Sequence, residues 1–253
     1  LTVLKKVIDL CPNNSFIYLA DTARLPYGVK TTNEIINIAE EISFWFSCQN
    51  IDAFLVACNT TNAIALDVIK KKLDVPVFDL IGSTASTIKE SRVGVLATPS
   101  TVKTKAYTNA ILEFHPKTFV IEQPCPEFVP MIEMGNINSD EITDAAFRYL
   151  QPLLKEKIYS LILGCSHYPL ITPLLTKMLP SSVKLIDPAE ALSLKLKLFL
   201  DSKVSNNSKK KNLVDLKFYV TSNLTNFPNK ANYWLNVFPE VNLISLQKKG
   251  CVS

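Results

Sequence analysis

No stretch of this chain approaches the roughly 18 uncharged apolar residues that a bilayer crossing requires, and its opening carries Lys5, Lys6 and Asp9 where a secretory signal would be apolar. A cytoplasmic protein with no membrane partner is expected. Concentrated charge is missing as well: 27 Lys and Arg against 23 Asp and Glu leave +4, too mild for a dedicated nucleic-acid surface. No nucleic-acid partner is expected, whereas small acidic molecules fit. Cysteine is sparse. The six cysteines (Cys11, Cys48, Cys58, Cys125, Cys165, Cys251) are too few for a disulfide scaffold, and none is spaced Cys-x-x-Cys as zinc and thioredoxin-like sites demand. Free thiols are expected. The two histidines, His115 and His167, are too few for an imidazole-rich metal centre, so no metal is expected.

What is present reads as ordinary globular material. Hydrophobic residues make up 47% and charged residues 20%, which excludes wholesale disorder and a coiled coil. The 253 residues suit one large or two small domains. Short apolar runs bounded by turn residues alternate with longer helical patterns: residues 16–20, then 32–49, then 53–57, then 62–73. This alternation predicts parallel strands joined by helices. Ile35, Ile36, Ala39, Ile42 and Phe46 fall on one helical face, whereas Phe54, Leu55 and Val56 form the continuous apolar run of a strand buried on both sides. The pattern recurs with strands at 92–97 and 160–163 and helices at 101–114 and 141–155.

The two halves repeat each other weakly. Leu1-Thr2-Val3 resembles Ser100-Thr101-Val102, and Phe54-Leu55-Val56-Ala57-Cys58-Asn59-Thr60 resembles Leu161-Ile162-Leu163-Gly164-Cys165-Ser166-His167. In each half an apolar strand ends in a cysteine followed by hydrogen-bonding side chains. The expected fold is α/β, with two pseudo-symmetric lobes, each a mostly parallel sheet flanked by helices, and the active site in the crevice between them. The first lobe is expected to span residues 1–81 plus 188–253, and the second residues 82–187, with 218–221 rejoining the first lobe. The second copy has a strand, Val93 to Ala97, before its Thr-Val, so a corresponding first strand and loop are expected upstream of Leu1.

A lone buried cysteine is ordinarily a small hydrophobe. Cys58 and Cys165, however, each stand between an apolar strand and a helix-forming stretch, where a helix N-terminus favours the thiolate. Two such thiols facing one small ligand form an acid and base pair.

At these residues the chain resembles the glutamate racemases, members of the aspartate/glutamate racemase superfamily. The matching segments are Tyr18-Leu19-Ala20-Asp21 through Pro26-Tyr27-Gly28, Ala57-Cys58-Asn59-Thr60, Gly94 to Thr98, Cys125-Pro126 to Glu133, and Gly164-Cys165-Ser166-His167-Tyr168-Pro169. The resemblance implies cofactor-independent interconversion of L- and D-glutamate, supplying D-glutamate for peptidoglycan, with Cys58 and Cys165 catalytic. It also implies substrate binding by Tyr27, Gly28, Asn59, Thr60, Ser166 and His167, with Glu133 assisting. By the same resemblance Cys58 acts on D-glutamate and Cys165 on L-glutamate, and an Asp-Ser-Gly loop precedes Leu1. Relatives form homodimers in several arrangements, and no surface stripe in this sequence selects one. Alternatives are a racemase for another amino acid such as aspartate, and a non-catalytic ligand-binding protein of the same fold. Cys11, Cys48 and Cys251 lie outside any motif and read as packing. His115 reads as a helix-end residue, and Lys209-Lys210-Lys211 as a solvated loop.

Overall fold

The computed structural model describes residues 1–203 and 215–246. The chain opens with α1 (Thr2–Leu10), β1 (Phe16–Ala20), α2 (Thr32–Ser47), β2 (Phe54–Val56), α3 (Asn59–Lys72), β3 (Val77–Asp79) and α4 (Leu80–Ala85). It continues with β4 (Arg92–Ala97), α5 (Pro99–Thr104), α6 (Ala106–Phe114), β5 (Phe119–Pro124), α7 (Phe128–Glu133), α8 (Asp140–Lys155), β6 (Ser160–Gly164), α9 (Thr172–Met178) and β7 (Lys184–Ile186). Helix α10 (Pro188–Lys203), β8 (Leu216–Val220), α11 (Phe227–Leu235) and β9 (Val241–Leu243) follow.

Every strand pairing among the described residues is parallel. The strands form a four-stranded sheet in the order β5-β4-β6-β7, a three-stranded sheet β1-β8-β9 and a two-stranded sheet β2-β3. Parallel strands need cover on both faces, which is why β4 and β6 are buried almost throughout. Val93, Val95 and Ala97 pack toward Ile81 and Ala85 of α4 and Tyr107 and Ile111 of α6. Leu96, Leu161 and Leu163 point the other way, toward Ile142, Leu150 and Leu153 of α8. This sheet is the centre of one lobe.

The other lobe packs Ile35, Ala39 and Phe46 of α2 and Ala65 and Ile69 of α3 on Phe54 and Val56. Helices α1 and α10 share a second cluster through Val3, Val7, Leu192 and Leu196. Strand β8 pairs with β1, so the 218–221 segment returns to the opening strand as expected. Among the described residues, no helix is long and apolar enough to cross a membrane.

Several local expectations change. The helix read over 101–114 is two helices, broken at Lys105, whose backbone is left-handed with φ of 53°. On α2 the fully buried face takes Ile38 and Ser43 and leaves Ile36 and Ile42 half-buried against the same core. Cys48, expected free, is in a disulfide, which the spacing of the cysteines along the chain did not mark. Cys11, Cys58, Cys125 and Cys165 are free. The Lys209–Lys211 run and Cys251 lie outside the described residues.

Candidate active site

Cys58 is where β2 hands over to α3. It occupies the cap position of a 14-residue helix, with an extended backbone at φ −114° and ψ 121°. The first helical turn offers amides without intrahelical partners, and its dipole favours a thiolate. Burial pushes the Cys58 thiol up, and Thr61 together with the Thr60 amide opposes that rise. The charge of Cys165 acts on the same sulfur, which puts the two thiols within electrostatic reach of each other.

The four polar residues that open α3, Asn59 to Asn62, are all buried. Buried polar groups need partners, and the side chains of Asn59, Thr60 and Asn62 have them within the protein. The Tyr107 hydroxyl donates to Asn59 Oδ1 at 2.6 Å, which leaves the Asn59 NH2 as a donor for a ligand. Thr60 Oγ1 lies 3.0 Å from Thr98 Oγ1 and 3.3 Å from Thr101 Oγ1, a cluster of three hydroxyls. Asn62 Oδ1 accepts from the Ile81 amide at 2.7 Å, anchoring α3 to α4.

The Cys165 end is built differently from expectation. No regular helix starts at this thiol; a short 3-10 turn, Tyr168–Ile171, intervenes before α9. What stands beside the sulfur is His167, with Nδ1 3.8 Å from Cys165 Sγ. On its other side His167 Nε2 meets Glu133 Oε1 at 2.7 Å, and Glu133 terminates α7. Burial by itself lowers the His167 pKa, but the hydrogen bonds with Cys165 and Glu133 outweigh it and hold the imidazole up at about 9. The hydrogen bond from His167 draws the Glu133 carboxyl down to about 2, against a desolvation cost and with help from Lys230. Gly164 sets the approach of this loop: a Cβ there would stand 2.8 Å from the Leu96 carbonyl oxygen and 3.0 Å from Ala97 Cβ.

A third segment closes the site. Gly28 lies against Thr98 so tightly that a Cβ would meet it at 2.7 Å. Ser100 holds the Gly28 carbonyl at 2.8 Å. The Tyr27 phenol donates to Asp21, which also accepts from Arg24 and, at 2.7 Å, from Thr221. The Tyr27 side chain is therefore committed to the turn, and only its backbone remains for a ligand. Asp21 thus ties the turn together.

One cavity of about 790 Å3 unites these parts. Cys58, Cys165, Tyr27, Gly28, Asn59, Thr60, Ser166, His167 and Glu133, the residues singled out in the sequence, all line it. Cys125 lines it too, but its thiol is buried and pushed well above the ordinary range, which keeps it protonated. Sequence reasoning did not assign Thr98, Thr101, Tyr107 or Lys230. Thr98 carries the one local signal, a capping threonine between a strand end and Pro99. Among the described residues, no group of three or more His, Cys, Asp or Glu side chains is arranged to hold a metal ion.

Two thiols at the ends of parallel strands line one cavity, with a helix N-terminus at one and an imidazole–carboxylate pair at the other, an arrangement suited to proton transfer on a small ligand. The Asp/Glu/Hydantoin racemase family matches residues 7–194, and the chain belongs to that family. It is an isomerase and stands with the glutamate racemases. A glutamate racemase from Prochlorococcus marinus (strain NATL2A) is 84% identical over 252 residues, covering all of this chain and 95% of the relative. One from Synechococcus sp. (strain CC9605) is 44% identical, covering 96% of this chain and 92% of the relative. The crystal structure of glutamate racemase from Francisella tularensis subsp. tularensis SCHU S4 in complex with D-glutamate superposes with a TM-score of 0.89 at 34% identity, over 98% of this chain and 94% of that one.

Proposed function

We propose that the protein interconverts L- and D-glutamate by two-base proton transfer between Cys58 and Cys165, with no cofactor. In one direction the Cys58 thiolate takes the α-proton of D-glutamate while the Cys165 thiol gives a proton to the opposite face. The two sulfurs exchange protonation states, and the reverse direction starts from the Cys165 thiolate and L-glutamate. Single carriage of both thiols on one cavity supports this reading more than any other observation. The α-carbanion is stabilised by donors fixed before reaction. Asn59, Thr60, Ser166 and the Tyr27 and Gly28 backbone supply amides and hydroxyls that hold charge without competing for the transferred proton. His167, with Glu133 behind it, poises Cys165.

Residues 1–81 with 188–253 and residues 82–187 are the two lobes in this reading, and their relative movement gates the cleft. The D-glutamate formed goes to cytoplasmic synthesis of peptidoglycan. The test is circular-dichroism assay of the full-length protein and its Cys58→Ser and Cys165→Ser variants with each enantiomer. Removing either acid–base group should cost about 100-fold or more in kcat. A variant that keeps wild-type turnover defeats the two-cysteine mechanism, and faster turnover of aspartate than glutamate defeats the substrate assignment.

A further inference from the structure

Lys230 belongs to none of the motifs that mark the cleft, yet it ends at the centre of the cleft's ionic chemistry. It sits on α11, whose Phe227 and Ala231 pack with Phe218 and Val220 of β8, in the core of the three-stranded sheet. Glu133 sits on α7, whose Phe128 and Ile132 belong to the core of the four-stranded sheet. Lys230 Nζ donates to Glu133 Oε2 at 2.6 Å. The other oxygen of the same carboxylate holds His167, and His167 faces Cys165. A continuous chain, Lys230–Glu133–His167–Cys165, thus crosses from one sheet's core to the other's along the wall of the cavity, which all four residues line.

The physical consequence follows from the exposure of Glu133, about one third of whose side chain is open to solvent. A partly exposed carboxylate bound on one oxygen only is free to rotate into water and abandon its imidazole. Bound on both oxygens it has one orientation. We propose that Lys230 is a positioning residue for proton transfer at Cys165, locking Glu133 in the rotamer that aims His167 at the sulfur, and that the lock closes only when α11 and α7 are docked across the cleft. This rests on the two-cysteine reading above. The groups facing Glu133 are Lys230 from α11, His167, the Tyr18 phenol of β1 and the amino group of Leu1. Of these only Lys230 and His167 bond it, so removing the ammonium leaves the carboxylate held by the imidazole alone.

The experiment compares Lys230→Ala and Lys230→Arg with wild type in the full-length protein, reading kcat, KM and the pH profile with both enantiomers. Lys230→Ala should lower kcat about 10- to 100-fold, the scale of an ångström-sized misplacement, with KM for glutamate unchanged. The alkaline limb of its kcat profile should move to lower pH, because an imidazole without its carboxylate titrates earlier. Lys230→Arg should restore most of both. A readout independent of turnover is iodoacetamide alkylation followed by mass spectrometry: in Lys230→Ala the pH dependence at Cys165 should change by more than that at Cys58, which feels the change only through the charge of Cys165. An unchanged kcat profile overturns the proposal, and so does a rise in KM alone, which would put the ammonium on a substrate carboxylate. Equal impairment of the Ala and Arg variants also overturns it. Failure of the underlying mechanism is separable, since it appears as activity in Cys58→Ser or Cys165→Ser whatever Lys230 does.

Discussion

At the end of β2 the thiol has a helix behind it, and at the end of β6 it has an imidazole beside it. Cys58 caps α3, so the amides beside it are a fixed array that no change of pH within the working range can alter. Cys165 depends on His167, a group that titrates, and on Glu133 and Lys230, which are partly exposed. The chain order repeats, but the chemistry does not. A site that handles mirror-image substrates needs two acid–base groups of matched reactivity, and it can reach that match by different means on the two sides. The comparison teaches that sensitivity to pH, and to relative movement of the two sheets, should concentrate at the Cys165 end.

The largest effect that tests this asymmetry is His167→Asn. It should lower kcat about 100-fold and flatten the alkaline limb of the profile, and steady-state kinetics from pH 6 to 10 would show whether it does. An intact profile would mean that Cys165, like Cys58, is governed by fixed dipoles. Gly164→Ala comes next. The methyl would collide with the Leu96 carbonyl and Ala97, so thermal unfolding should register a loss of about 1 to 3 kcal/mol. On the Cys58 side, Tyr107→Phe removes the 2.6 Å bond to buried Asn59. The orphaned acceptor should cost about 1 to 2 kcal/mol in denaturant titration, and the freed amide should raise KM without moving the pH profile.

The remaining effect is in stability against pH. His167 is raised from 6.5 to about 9 in the folded protein, so its contribution is complete below the unfolded value and is lost as pH rises through the folded one. Urea unfolding of wild type should weaken between pH 6.5 and 9, and His167→Asn should show no such drift. Glu133 works in the opposite direction. Its carboxyl is depressed to about 2 from 4.5, so its contribution is lost as pH falls through that interval.

Much of this architecture was legible in the chain. The run at 92–97 is a strand whose almost continuous burial leaves a continuous hydrophobic signature, and the run at 16–20 keeps that signature although it is only half-buried. The two cysteines stood out because each closes such a run. Helix α3 was harder: Asn59, Thr60, Thr61 and Asn62 are turn-forming residues by type, and only burial against Tyr107, Thr98 and α4 makes them a helical first turn. Strands β3, β5, β7 and β9 were not read from sequence, because each lies at the edge of its sheet, half-buried or exposed, where the apolar run is short or broken. Lys230 and Tyr107 were invisible for another reason. Each acts through a contact far away along the chain, with 97 residues separating Lys230 from Glu133 and 48 separating Tyr107 from Asn59. No local spacing encodes such a pair.

The most direct test of two sulfurs working on opposite faces of one substrate is isotopic. L-glutamate is incubated with the full-length protein in deuterium oxide, the reaction is stopped at low conversion, and both enantiomers are recovered and weighed by mass spectrometry. The account predicts D-glutamate carrying one α-deuterium, alongside recovered L-glutamate that keeps its α-protium. Protium carried over into the product, or deuterium entering the unreacted substrate as fast as product forms, would mean that one base serves both faces.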